Sequence, residues 1–370
     1  MTLIDKSNFN IYYDLVYFIT TYIVILSAIS IEIRQDIFIQ NKLSKYLVFF
    51  PIIILIYIVG FRAYDVGTDT GNYYFLLWVQ KPELNFNTEF LFQLIALLLQ
   101  HFDLNYTYFL SLVSIIFFYF IYKALKNYSS LYQANLLMAL FAFMSFFFFS
   151  SMSINVIRQG VSLAILLYAF TLLLKKDNKI KIIIYSVVAV AFHLTSIIPI
   201  LLVALSYYLS TKSGKLIYFL VLLYFSVILL AFLNIGFLNI APSLSQLLGS
   251  DGRSGYLNGE TYDYVVGFKP QFVVFNTFFL LIALYIRKNL TEIELKKQYN
   301  VILIYYIIAS WLLFLAFQLP FSDRWGLFSW VVIPFLIIPL FYSPYLKAKI
   351  RIHYILMLIL IYVGFKFYAS

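Results

Sequence analysis

The sequence predicts an all-α polytopic membrane protein with about twelve transmembrane helices (range 10–14), and three observations carry that prediction. Apolar residues make up 63% of the 370 and charged residues only 11%, whereas a soluble domain carries roughly 25% charge. Apolar runs approaching the length of a span, about 20 residues, recur along the whole chain. Aromatic residues reach 21%, with 40 Phe, 33 Tyr and 4 Trp, as suits lipid-facing surfaces and interfacial belts. So few charges cannot build a soluble shell, so lipid is the solvent for most of the chain.

Taken in order, single spans are expected at 11–31, 46–61, 105–122, 131–150, 154–174, 215–235, 271–287, 299–318, 326–341 and 352–368. The stretch 181–209 is too long for one ordinary span and is interrupted by His193, Thr195 and Ser196. It divides into two short spans with the polar break at a membrane surface. The apolar piece 90–100 is about half a span and fits a re-entrant or interfacial half-helix. The N-terminus lacks a basic region, Lys6 being offset by Asp5, so the first run is expected as a retained helix. Residues 1–370 then form a single integral membrane domain.

Orientation follows from Lys and Arg, which favour cytoplasmic loops. Six connections, beginning with Arg34/Lys42/Lys45 and ending with Lys347/Lys349/Arg351, hold 18 of the 26 basic residues and five acids. Their local balance is +13, against −3 elsewhere. This asymmetry accounts for the net +10 without nucleic acid. Placing all six connections inside requires that 90–100 not cross and that 181–209 cross twice, leaving both termini outside.

The outer loops 62–89, 236–270 and 319–325 then form the expected active face. They gather Arg62, Asp65, Asp69 and Tyr73 in FRAYDVGTDTGNYY, Arg253 in SDGRSGYLNGETYDY, and Asp323 and Arg324 in PFSDRW. Arg158 lies one turn inside an apolar span, where a cation is costly and usually meets a cavity or partner. His193 marks the outer break of 181–209. Arginines on one face suit an anionic ligand, because guanidinium binds phosphate through paired, charge-assisted hydrogen bonds. Cysteine is absent and the three histidines are far apart in sequence, so neither a metal centre nor another cofactor is expected.

FRAYDVGTDTGNYY resembles the signature of the EpsG-type family of bacterial polysaccharide polymerases, relatives of the O-antigen polymerase Wzy. Arg62, Gly67, Thr68, Asp69 and Tyr73 stand at the matching places. IRQG, with Arg158 and Gln159, AFHLTSIIPI, with His193, and Arg324 before a late aromatic span follow in the same order. The Arg-x10-Gly pattern of some Wzy proteins does not start at Arg62, Arg158, Arg253 or Arg324, so that branch's details do not carry over.

The resemblance implies a metal-independent, GT-C-like glycosyltransferase of the bacterial inner membrane, active at its periplasmic or extracellular face. It would transfer a growing glycan (O-antigen, capsule or exopolysaccharide) from undecaprenyl pyrophosphate to a new lipid-linked repeat unit. A flippase and a chain-length regulator are the expected partners beside membrane lipid. Arg158, then Arg62 and Arg324, would stabilise the departing pyrophosphate. Asp69 and His193 are the candidate bases, with Asp65 a third. Asp65, Tyr73, Gln159 and Arg253 are assigned to substrate binding. A flippase for the same lipid-linked sugar is the main alternative, although no internal repeat is found. O-antigen ligase and a membrane acyltransferase are further alternatives.

Overall fold

The computed structural model describes residues 3–34, 37–86, 89–212, 214–240, 266–347 and 352–368. The helices are α1 (Lys6–Arg34), α2 (Ile37–Leu47), α3 (Phe49–Gly60), α4 (Thr70–Tyr74), α5 (Phe90–His101), α6 (Tyr106–Tyr132), α7 (Leu136–Met144), α8 (Phe147–Ser150) and α9 (Ile157–Leu174). They continue as α10 (Lys179–Phe192), α11 (Ile197–Ser210), α12 (Leu216–Phe232), α13 (Phe237–Ile240), α14 (Pro270–Asn289), α15 (Ile293–Leu315), α16 (Ser322–Trp330), α17 (Ile333–Ile337) and α18 (Ile352–Tyr368). Extended pairing among the described residues is confined to an isolated parallel bridge between Ile4 and Arg62.

Asparagine starts three of these helices by accepting from an otherwise orphaned backbone N–H. Asn105 accepts from Thr107 N at 3.1 Å, Asn135 from Met138 N at 3.1 Å and Asn178 from Ile180 N at 2.8 Å. Along α12, Tyr218, Leu222, Phe225, Leu229 and Phe232 are all exposed. Their helical spacing makes one apolar stripe, the surface a lipid solvent accepts.

The chain divides into two compact units, one of Met1–Ile200 with Ile338–Ser370 and one of Leu201–Ile337. In the first, α9 is an interior helix, with nearly all of its residues buried, packed against α6 and α10. α18 returns to α1, where Tyr17 and Tyr368 stack at 4.3 Å and the Tyr17 hydroxyl donates to Leu360 O at 3.2 Å. In the second, α15 and the segment from α16 into α17 are both largely buried. There buried Asn276 donates to Ser310 and Ser329 and accepts from Trp330 Nε1 at 2.9 Å.

Seven helices among the described residues are long and apolar enough to cross a membrane, or eight if the bent pair 136–155 is one span. This corrects the expected twelve spans, and such a set does not match the expected GT-C-like arrangement either. The discrepancy is one of helix length. Leu194–Ser210, Leu216–Phe232 and Tyr354–Tyr368 are apolar but run to only 10–17 residues. The expected span 131–150 is instead the tail of α6, then α7, then an 84° bend. Two features match the expectation: α5 is a 12-residue half-helix, and 181–209 breaks at His193, which is extended at φ −157° and ψ 114°.

After the bend, a π-helical turn, Ser151–Asn155, leads into α9. It lies so close to α9 that a Cβ on Gly160 would overlap the Met152 carbonyl. Gly160→Ala is therefore expected to destabilise the protein by roughly 1–3 kcal/mol, the usual cost of overpacking, seen as a lower Tm of the detergent-purified chain. An unchanged Tm would show that the turn does not rest on α9.

Candidate functional site

The loop after α3 is fastened to the Ser151–Asn155 turn. Ile4 brackets Arg62, accepting from Ala63 N and donating to Phe61 O at 2.9 Å each. Gly67 adopts φ +90°, a conformation that favours glycine, and a Cβ there would stand 2.7 Å from Asn155 Oδ1. That same oxygen accepts from Thr68 N at 3.0 Å. Thr70 donates to Ile154 O at 3.2 Å.

Arg62 is 1% exposed. Its Nη1 donates to Val59 O at 2.5 Å, and its Nη2 to Ile154 O at 3.2 Å and Thr70 Oγ1 at 3.3 Å. No carboxylate pairs with it among the described residues. Among the described residues its Nε finds no hydrogen-bond partner, and its side chain lines a small cavity with Ser114, Met152 and Ser153. Burial pushes its pKa down to about 10, which leaves it charged at neutral pH.

A second charged cluster forms where three segments converge. Glu89, immediately before α5, is buried and accepts from both Arg158 and His193. Its Oε2 takes Arg158 Nη1, and its Oε1 lies 2.5 Å from His193 Nδ1. Side-chain exposure is 38% for Arg158, 17% for His193 and 10% for Glu89. Arg158 also lies over the Tyr73 ring at 5.1 Å, with Nε 3.4 Å from the Tyr73 hydroxyl. The charge of Asp69, at the head of α4, acts on Arg158 as well.

Helix packing sets these positions. Ser162 stands one turn from Arg158 on the same face of α9. It donates to Ala189 O at 2.7 Å and hydrogen-bonds Ser196, which fixes the α10–α11 break and so His193. α5 is held near its start by the edge-on contact of Phe92 with Tyr73 and near its end by Gln100 donating to Leu77 O at 2.7 Å. That anchoring places Glu89.

Of the predicted residues, the structure therefore gathers Arg158, His193, Tyr73 and Asp69. Gln159 is buried on α9 and Asp65 is exposed on the loop. No hydrogen bond joins Arg62 to Arg158, Glu89 or His193; it is packed among carbonyls. Arg324 belongs to the second unit, on α16, over the Phe321 ring at 5.0 Å. Arg253 and most of the 236–270 loop lie outside the described residues. Among the described residues no three His, Asp or Glu side chains form a metal-ligating group.

Sequence reasoning missed Glu89. Its signal was available: a carboxylate at the edge of an apolar helix needs a cation, and Arg158 was already an unexplained one. Ser162 was missed too, its role depending on the backbone of another helix.

The fold and the cluster define a multi-pass helical membrane protein with a charged site built into its apolar body. The chain belongs to the EpsG family, whose model matches residues 45–370. No curated protein and no solved structure matches it. The family carries the coarse functional class, a membrane protein of the polysaccharide-polymerase type.

The two arginines predict different mutational behaviour. Arg62→Met strands the buried Val59 carbonyl and leaves Ile154 O with Thr70 as its remaining side-chain donor, and an orphaned buried group costs about 1–3 kcal/mol. A marked fall in Tm is expected in the purified protein. Arg158→Lys, at a partly open position and still able to offer Glu89 a cation, is expected to lower Tm much less. Equal losses would contradict this division.

Proposed function

We propose that the protein is a polysaccharide polymerase of the bacterial cytoplasmic membrane. It transfers the growing glycan from undecaprenyl pyrophosphate to a new lipid-linked repeat unit at the outer face. The observation that carries this reading is the way Glu89 holds Arg158. Glu89 engages Nη1 while Nη2 makes no hydrogen bond among the described residues, and the side chain is 38% exposed. A guanidinium clamped on one edge and open on another is oriented to receive a phosphate oxygen.

Charge develops on the pyrophosphate as the anomeric carbon–oxygen bond breaks. A preorganised cation there lowers the barrier because it need not reorganise. Arg158 takes that role. Arg62, assigned the same role from the sequence, is better suited to holding the GTDTG loop against the Ser151–Asn155 turn. Tyr73 buttresses Arg158, and Asp69 contributes a second negative charge near it. The basic connections would face the cytoplasm, so the acceptor would arrive from a flippase and a chain-length regulator would act at the outer face.

A polymer-length assay tests the reading. Cells lacking the gene are complemented with wild type, Arg158→Ala or Arg158→Lys at equal membrane levels, and surface glycan is separated on a gel. Wild type is expected to restore a ladder. Arg158→Ala should cut elongation by about 100-fold or more, leaving a single repeat unit on its acceptor. Arg158→Lys should restore little, since it keeps charge without the planar fork. Loss of even the single unit on deletion would favour a flippase. A ladder that persists without the gene would overturn the polymerase assignment.

A further inference from the structure

His193 contributes more than a partner for Glu89. Its imidazole meets Glu89 Oε1 through Nδ1 at 2.5 Å, and its side chain makes no other hydrogen bond among the described residues. A carboxylate at Nδ1 holds the proton on that nitrogen and leaves the lone pair on Nε2. The backbone that carries the ring is also fixed. His193 N donates to Ala189 O at 3.0 Å, and Ser162 donates to that same carbonyl. An imidazole with one nitrogen anchored to a carboxylate and the other unengaged is arranged for general-base work.

Resting on the polymerase reading, we propose that His193 is the general base of the transfer and Glu89 its positioning residue, the two forming a dyad. Nε2 of His193 takes the proton of the attacking hydroxyl on the acceptor sugar. As that oxygen bonds to the anomeric carbon of the growing chain, the bond from this carbon to the pyrophosphate oxygen breaks. Its electron pair leaves with the pyrophosphate beside Arg158, and the proton, first on Nε2, passes to solvent. Because Glu89 binds both His193 and Arg158, one carboxylate sets the base and the leaving-group cation at a fixed separation.

Asp69 fits the base role less well. Its charge acts on Arg158, so it is engaged with the leaving-group cation rather than offered to the acceptor hydroxyl. Among the described residues, the ionisable group paired with His193 is Glu89 ahead of α5, which also holds Arg158 on α9. Asp69 and Tyr73 bear on it through Arg158.

The test uses the purified full chain in lipid nanodiscs, with an undecaprenyl-pyrophosphate-linked repeat unit as donor and acceptor. Rates are measured across pH. His193→Asn keeps an N–H that can donate to Glu89 but has no basic nitrogen. Its kcat is expected to fall by about 10²–10⁴-fold with little change in KM. Glu89→Gln removes the charge that favours the imidazolium, so the acidic limb of the rate profile should move to lower pH, a change that loss of packing alone does not produce. Turnover by His193→Asn within about fivefold of wild type, well short of a general-base loss, overturns the proposal. So does an acidic limb left in place by Glu89→Gln, which decides alone if His193→Asn fails to fold. Wild type that elongates beside an active His193→Asn sinks only the dyad, whereas wild type that fails to elongate removes the polymerase reading and the dyad with it.

Discussion

A charge in a chain solvated by lipid must find its partner inside the chain, and the architecture of the first unit answers that requirement twice. Arg62 is met by backbone carbonyls exposed where helical regularity is interrupted, at the end of α3 and in the Ser151–Asn155 turn. Arg158 is met by a carboxylate delivered from another segment. Carbonyl dipoles can hold a guanidinium but share no proton with it, so the first solution makes a rivet. The second brings together groups that can exchange protons and bind anions. Burial separates the two, one being sealed and the other partly open.

The interruptions of regular helix are where the polar chemistry collects. The π-helical turn receives the GTDTG loop, the break at His193 frees an imidazole from helical geometry, and the short α5 begins at Glu89. In a hydrocarbon setting such irregular backbone persists only where protein covers it. α9 provides that cover, with Gly160 on one side and Ser162 on the other.

Much of this was legible in the sequence, for identifiable reasons. The all-helical membrane class followed from charge scarcity, and the half-helix and the His193 break followed from polar residues interrupting apolar runs. Arg158 stood out because a cation inside a span has few explanations. The bend at Ser145–Phe146 was invisible because FAFMSFFFFS is apolar on both sides of it. Ser145, bonding back to Phe141 O at 2.9 Å, marks the end of α7 only when the backbone is seen. Counting spans failed because hydropathy measures apolar length and not where a helix stops. Glu89 was missed because its importance lies in three segments converging, at sequence separations of 69 and 104 residues.

The first unit is assembled from two stretches of chain, Met1–Ile200 and Ile338–Ser370. During synthesis the segment that completes it is made only after the whole of the second unit has been translated. Until then the surface of α1 that receives Tyr368 and Leu360 has no covering helix. Early assembly of the Arg158 cluster therefore cannot draw on that support, and the intervening wait exposes a partly built apolar surface to the hazards of incomplete intermediates. A ribosome that stalls after residue 340 would therefore leave a chain possessing every residue of the Glu89 cluster but lacking α18, the helix that packs on α1.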